Sequence, residues 1–432
     1  MPDNILLIMM DDMRYDELRF MTKTMELLGG RNGTEYTWCH ANVPLCSPSR
    51  AGIMTGQLSK HHTIVANDMN TAPVYPGNTF TAIGMQGYRV GCVGKFFTAL
   101  AANTLGNADL AAFDYWRALK GETAYGIYDS VDYIITDGTT DSSPNEYQDH
   151  YLTGEAIDFM RGAEPWCLWY CPTSPHWPWQ DPPNHQTEYG YRDWTIPIET
   201  DKSDQPTFIQ SLPTPTYEQQ RYIIDNERHR MRELQAADDS IAAFVHLIES
   251  TGQMDRTTII FTSDNGNMIG EHGIFGLFAD STVINKNVPY EGAMHVPLLV
   301  RSPLFPVKTK VAIPTMHQDI VTTMLARAGA NAQRPHQAGS SLLNIAVNQA
   351  AFANRGLLGY RDNSGDGLNL PNADIWTTAR YKLVRWQGQT AANTYQLFDL
   401  LLDPNENTNI AYTNVALRTN LEEDMNTELA AP

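Results

Sequence analysis

The chain has 432 residues, 42% of them hydrophobic and 18% charged, which is the composition of a globular protein with room for one large domain and a smaller one. Thirty basic against 49 acidic residues give a formal charge of −19, which argues against nucleic acid as a partner and against a long polyanion spread over the surface. A small anionic group entering a locally basic pocket stays compatible. Five cysteines (39, 46, 92, 167 and 171) imply no disulfide framework, and no zinc-type Cys/His spacing occurs. Cys167 and Cys171 flank a predicted strand, where i and i+4 lie too far apart to pair.

Asn4–Met10 is an apolar run too short for a membrane span, and it lacks the basic leader and cleavage site of a signal peptide. It predicts a strand covered on both faces. As it stands the sequence reads as soluble and cytoplasmic, or secreted or periplasmic if a leader has been removed. Asp11 and Asp12 follow at the strand end where open α/β sheets place their ligands. Paired acids there suit a hard cation, and a turn with a helix cap is the other reading.

Residues 22–29 predict a helix, and 35–40 a strand leading to Cys46-Ser47-Pro48-Ser49-Arg50, then Met54-Thr55-Gly56. This stretch reads as a loop entering a helix, with unpaired N–H groups, the positive dipole end and Arg50 beside Cys46. That setting favours an anion and would lower a thiol pKa. A buried cysteine before an ordinary helix is the equal alternative. Lys60-His61-His62 reads as exposed loop.

Further on, Thr79–Gln86 predicts a helix and Tyr88–Val93 a strand that ends in Gly94-Lys95-Phe96-Phe97. A Tyr-rich, hairpin-like stretch covers 125–136, and a helix covers 151–161. The strand Trp166–Tyr170 delivers Thr173-Ser174-Pro175-His176-Trp177-Pro178-Trp179. A histidine held between prolines and tryptophans suits a general acid, with a surface histidine as the alternative. The two indoles offer stacking faces for a sugar or packing under the loop. Residues 180–215 read as loops that shape access, and Tyr217–Ser250 as a long helix whose charged section Asn226–Glu233 is a solvated face. The strand Thr257–Thr262 delivers Ser263-Asp264-Asn265-Gly266, a carboxylate and an amide oxygen that suit calcium. A helix is predicted at Thr315–Ala330, then short strands at 357–360, 375–378, 381–386 and 395–399, and a terminal helix.

Cys46-Ser47-Pro48-Ser49-Arg50 with Met54-Thr55-Gly56 resembles the signature of the type I sulfatases, in the alkaline-phosphatase-like superfamily. Asp11-Asp12 and Asp264-Asn265 match that family's metal-binding pairs. The resemblance implies an α/β fold with a large, mostly parallel central sheet flanked by helices. It also implies a smaller C-terminal antiparallel-sheet subdomain, with the catalytic domain at 1–334 and the subdomain at 335–432. It implies one Ca2+ held by Asp11, Asp12, Asp264 and Asn265 with Cys46. Cys46 itself would be converted to formylglycine by a formylglycine-generating enzyme that reads the Pro and Arg. Arg50, Lys95 and Lys286 would contact the sulfate, and His176 would give the leaving group its proton. Phe97 departs from the family, which commonly has histidine there. That departure and Tyr115–Leu119, the 125–136 stretch and Asp149-His150-Tyr151-Leu152-Thr153 are similar to N-acetylglucosamine-6-sulfatases and related heparan-type sulfatases. His272, in Gly270-Glu271-His272-Gly273, would face the pocket or shape a turn. The implied activity is hydrolysis of a sulfate ester, of a sugar or a small organic alcohol. Phosphonate or phosphate-ester hydrolysis is the first alternative, although those relatives carry histidine where Asn265 stands. An inactive protein that binds a sulfated ligand is the second.

Overall fold

The computed structural model describes residues 3–67, 78–97, 111–121, 128–187, 201–275, 285–330, 336–363, 370–390 and 393–431. The expected boundary at 334/335, residues 125–127 of the Tyr-rich stretch and much of the predicted access loops lie outside them.

Seventeen strands occur among the described residues: β1 (Asn4–Met10), β2 (Thr34–Tyr36), β3 (Cys39–His40), β4 (Arg89–Gly94), β5 (Tyr115–Lys120), β6 (Ile134–Thr136), β7 (Asp141–Ser142), β8 (Trp166–Cys171), β9 (Thr257–Ser263), β10 (His295–Val296), β11 (Leu298–Arg301), β12 (Thr309–Val311), β13 (Thr315–Met316), β14 (Leu357–Arg361), β15 (Ala373–Thr377), β16 (Tyr381–Trp386) and β17 (Tyr395–Asp399). Ten of them form one sheet, ordered β12-β2-β11-β9-β1-β8-β4-β5-β6-β7. Its centre, β9-β1-β8-β4-β5, is parallel; β11, β2, β6 and β7 extend it through antiparallel pairings, and β12 closes one edge parallel to β2.

The absence of alternation in β1 has a direct cause. Ile5, Leu7 and Met9 face one apolar layer while Leu6, Ile8 and Met10 face the other. Every position is therefore buried. Helices α1 (Cys46–Thr55), α2 (Thr79–Gly84) and α4 (His317–Ala328) cover the first face through Ile53, Phe80 and Ile320. The second face lies under the helix Gln148–Met160 and α3 (Tyr217–Ser250), through Leu152, Phe159, Leu234, Ile241 and Phe244.

The C-terminal strands β14 to β17 form the expected antiparallel sheet, packed on the helix Val415–Ala430 through Leu421 and Met425. A buried charge cluster joins this sheet to the rest. Lys382 of β16 contacts Glu291 (2.5 Å) and Glu406 (2.9 Å), and Glu291 also contacts His40 at 2.9 Å. All five cysteines are free and buried. No helix among the described residues is long and apolar enough to cross a membrane.

One expectation fails on α3. Within Asn226–Glu233, Glu227, Arg230 and Glu233 are buried rather than solvated. Glu227 and Arg230 lie on the stripe Ile223, Glu227, Arg230, Leu234, Ala237 and Ile241, whose steps of three and four residues form one buried face, turned to the sheet from Leu234 onward.

Candidate active site

The ends of β1 and β9 lie side by side, with Met10 paired to Ser263, so Asp11-Asp12 and Asp264-Asn265 emerge together. Asp12 takes a left-handed backbone (φ +65), uncommon for a residue with a side chain. Its N–H donates to Asp264 Oδ1 (3.2 Å), and Asn265 Nδ2 donates to Asp12 Oδ1 (2.6 Å). α1 points its first residue, Cys46, into this cluster. Cys46 Sγ lies 3.5 Å from Asp11 Oδ1 and 3.8 Å from Asp12 Oδ1.

Three buried cations close the site. Arg50, fully buried one turn into α1, meets Asp264 Oδ2 through Nε (2.9 Å) and Nη2 (2.8 Å), and donates to the Lys95 carbonyl (2.6 Å). Lys95, at the end of β4, contacts Asp11 Oδ2 (2.5 Å). Lys286 bridges both Asp12 oxygens (2.7 and 2.9 Å) and reaches Cys46 Sγ at 3.0 Å. His176 Nε2 completes the ring, 3.5 Å from Asp12 Oδ2. All nine residues expected from the sequence therefore lie in one cluster.

The electrostatics are those of charges removed from water. Burial and Asp264 push the Asp11 carboxyl up to about 7, whereas Lys286 and His176 outweigh burial at Asp12 and hold it well below the usual carboxylate range. Burial, with Asp264, pushes the Cys46 thiol up, overriding the two lysines. The helix terminus thus does not yield the low-pKa thiol that the loop-to-helix reading predicted. Burial, Lys286 and Lys95 lower His176 to about 3 against the pull of Asp12, so its imidazole is neutral at neutral pH. Its Nδ1–H donates to the Trp177 carbonyl (2.5 Å), which leaves Nε2 as the nitrogen facing Asp12.

The donor set fits a hard divalent cation. Asp11, Asp12, Cys46 and His176 each bring one ligand atom within 4.8 Å of the others. Asp264 and Asn265 border the same space. Asn265 Oδ1 is buried and has no hydrogen-bond partner among the described residues. With Asp264 and Asn265 beside Asp11 and Asp12, the space is lined on one side by carboxylate and amide oxygens, the acceptors a hard divalent cation takes.

Other residues fall differently. Phe97 is buried edge-on against Phe96 (4.7 Å), inside an aromatic cluster with no ionic role. His272 sits in a tight turn at φ +57 and stacks on Tyr290 (3.8 Å), the turn-shaping alternative. His62 is buried, not exposed, with Nδ1 accepting from the Ile64 N–H (3.2 Å). Sequence reasoning missed Tyr128, whose ring stacks on His176 at 3.8 Å and lies 5.0 Å from the Lys95 ammonium. Its only sequence signal was membership of the Tyr-rich stretch. Ser49 and His317 were missed as well. The Ser49 hydroxyl lies 2.6 Å from the Asp264 carbonyl oxygen and 2.9 Å from His317 Nδ1.

The His176 loop is anchored by the N-terminus of the helix Gln148–Met160. Thr173 Oγ1 donates to Gln148 Oε1 (2.6 Å) and Ser174 Oγ to Asp149 Oδ2 (2.5 Å). Burial raises Asp149 to about 6, the Ser174 bond only partly opposing it. The folded protein therefore holds this proton more tightly than the unfolded chain does. Its stabilising effect is complete below about pH 4 and is lost as pH rises to about 6, on the order of 3 kcal/mol. Asp149→Asn keeps an acceptor for Ser174 and is expected to flatten that slope. Urea unfolding of both proteins from pH 4 to 7 checks it, and parallel stability curves would refute the assignment.

Residues 3–330 match the sulfatase family across most of the chain. The chain belongs to the sulfatase family. Residues 270–431 also match the C-terminal region of N-sulphoglucosamine sulphohydrolase. Human N-acetylglucosamine-6-sulfatase is 28% identical over 365 residues, covering 79% of this chain and 64% of the human protein. The chain thus spans a little under two thirds of that relative. An N-acetylglucosamine-6-O-sulfatase of Bacteroides thetaiotaomicron is 24% identical, covering 94% of this chain and 82% of the relative. Among solved structures, a protein in complex with its substrate D-glucosamine-2-N,6-O-disulfate superimposes with a TM-score of 0.82 at 18% identity, covering 99% and 97% of the two chains. A phosphonate monoester hydrolase from Silicibacter pomeroyi gives 0.75 at 21% identity, covering 99% and 95%, so this fold serves more than one ester chemistry.

Proposed function

We propose that this sulfatase-family protein hydrolyses the sulfate ester of a sugar, releasing the free alcohol and inorganic sulfate. The observation that carries the reading is the placement of Cys46 Sγ 3.0 Å from Lys286 and 3.5 Å from Asp11, at a helix start inside an oxygen-rich cluster. Cys46, once converted to formylglycine by a formylglycine-generating enzyme, supplies a hydrated aldehyde as nucleophile. Asp11, Asp12, Asp264 and Asn265, together with the group formed from Cys46, would hold a calcium ion, which would polarise the sulfate oxygens.

The chain's own groups do the rest. Lys95, Lys286 and Arg50 oppose the charge on the transferring sulfuryl group in a site that excludes water. His176 begins neutral because burial first, and then the charges of Lys286 and Lys95, disfavour a cation there. A sulfate lying against those lysines offsets their field and lets Nε2 hold the proton that goes to the departing alcohol. The glucosamine chemistry of the related sulfatases, together with Trp177 and Trp179 in the His176 loop, favours a 6-O-sulfated glucosamine. Asn265, where phosphonate hydrolases carry histidine, favours sulfate over phosphorus esters.

The test is a paired comparison of glucosamine 6-sulfate and 4-nitrophenyl sulfate against 4-nitrophenyl phosphate and phenyl phosphonate monoesters. A kcat/KM at least about tenfold higher for the sulfates is expected, a modest margin on the scale of enzyme discrimination. A preference for the phosphorus esters would overturn the reading.

A further inference from the structure

We infer that Arg230 is a positioning residue that fixes the distance between the Asp12 cluster and His176. The inference rests on His176 as the leaving-group proton donor proposed above, and extends it to a residue on a different element, α3.

The guanidinium is 1% exposed and uses its whole fork. Nη2 donates to the carbonyl of Asp12 (2.9 Å), and Nη1 donates to the carbonyl of Pro175 (3.0 Å). Nε and Nη2 pair with the Glu17 carboxylate at 3.0 and 2.9 Å. Glu17 in turn accepts from the backbone N–H of Arg14 (2.8 Å), two residues beyond Asp12. One side chain thus fastens the backbone of both partners of the Asp12–His176 contact: Asp12 itself, and the residue before His176.

This placement has physical consequences. Asp12 holds a left-handed backbone, and a charge-assisted bond to its carbonyl offsets the cost of that conformation. The Pro175 carbonyl also accepts from Trp179 Nε1 (2.9 Å), which sets the far side of the same loop. Glu227 Oε1 also lies 3.5 Å from Nε, so two carboxylates already face the guanidinium charge without help from the loops. Here two carbonyls from separate loops share the fork, a geometry that a lysine ammonium cannot reproduce. Loosening it would leave the sulfate-facing cations in place and let His176 drift from the leaving oxygen. General acid catalysis depends steeply on that alignment.

The experiment uses the full-length, matured, calcium-loaded protein. Turnover of glucosamine 6-sulfate, a poor leaving alcohol, is compared with 4-nitrophenyl sulfate, whose phenolate leaves without a proton. Arg230→Lys is expected to lower kcat on the sugar by roughly tenfold or more and on the aryl ester by less than about threefold, a fraction of the effect of losing an acid altogether. KM and the calorimetric affinity for inorganic sulfate stay unchanged. Glu17→Gln, which loosens the same guanidinium but keeps an acceptor, carries the test if Arg230→Lys does not fold, with a smaller shift in the same direction. His176→Ala is measured alongside. Equal losses on both substrates, or an unchanged ratio, overturn the role of Arg230 if His176→Ala itself discriminates between them. If His176→Ala does not discriminate, the proton-donor reading falls and the inference falls with it.

Discussion

Cys46→Ala is expected to abolish turnover, by on the order of 10⁴-fold or more, while the protein stays folded. The variant removes one buried sulfur whose neighbours are Lys286, Asp11 and Asp12, and those ions continue to neutralise one another. The packing loss is therefore small, about 1 kcal/mol, and thermal unfolding should move by only a few degrees. Cys46→Ser should also fall far below the parent, because an alcohol cannot regenerate through an aldehyde. Substantial residual activity in the alanine variant would remove Cys46 from the reaction. The side chain is fully buried in the folded protein, so any enzyme that modifies it must act before folding is complete. Mass spectrometry of the tryptic peptide Asn32–Arg50 reads the modification directly, with Cys39 as an internal control.

Much of the site was legible because it sits at the ends of strands with unmistakable patterns. The apolar run Ile5–Met10 and the β-branched and aromatic run Thr257–Thr262 mark buried parallel strands, and the acids that follow them lie where such sheets gather ligands. The resemblance then attached roles to Cys46, Lys95 and Lys286, which spacing alone does not bring together. Arg230 and Tyr128 were not legible. Arg230 lies in a charge-rich stretch that composition assigns to solvent, yet it falls on the apolar stripe of α3. Charges on that stripe have to find partners inside, and that was the available signal. Tyr128 depends on a ring meeting His176 across nearly fifty residues of chain, which no local pattern encodes. The Cys46 thiol differed for another reason. A helix terminus acts within its own turn, whereas desolvation is set by the whole fold.

The second large effect concerns charge balance. Asp11, Asp12 and Asp264 face Lys95, Lys286 and Arg50 in direct contacts, so the protein's own charges cancel once Asp11, which burial and Asp264 raise to about 7, is ionised. A divalent cation among the carboxylates adds two positive charges to a buried site, where like charge is costly. A sulfate dianion restores the balance. Calcium and inorganic sulfate are therefore expected to bind cooperatively, each tightening the other by a factor of roughly 5 to 150. Calorimetric unfolding of the full chain reads this as a shift in Tm with calcium and sulfate together that exceeds the sum of the separate shifts. Chelating the calcium should in parallel lower turnover on the order of 10³-fold, because polarisation of the sulfate oxygens is lost. Strictly additive Tm shifts, or full activity after chelation, would mean that Lys95, Lys286 and Arg50 bind the sulfate without help from a metal. The carboxylates would then serve only to hold those cations in place.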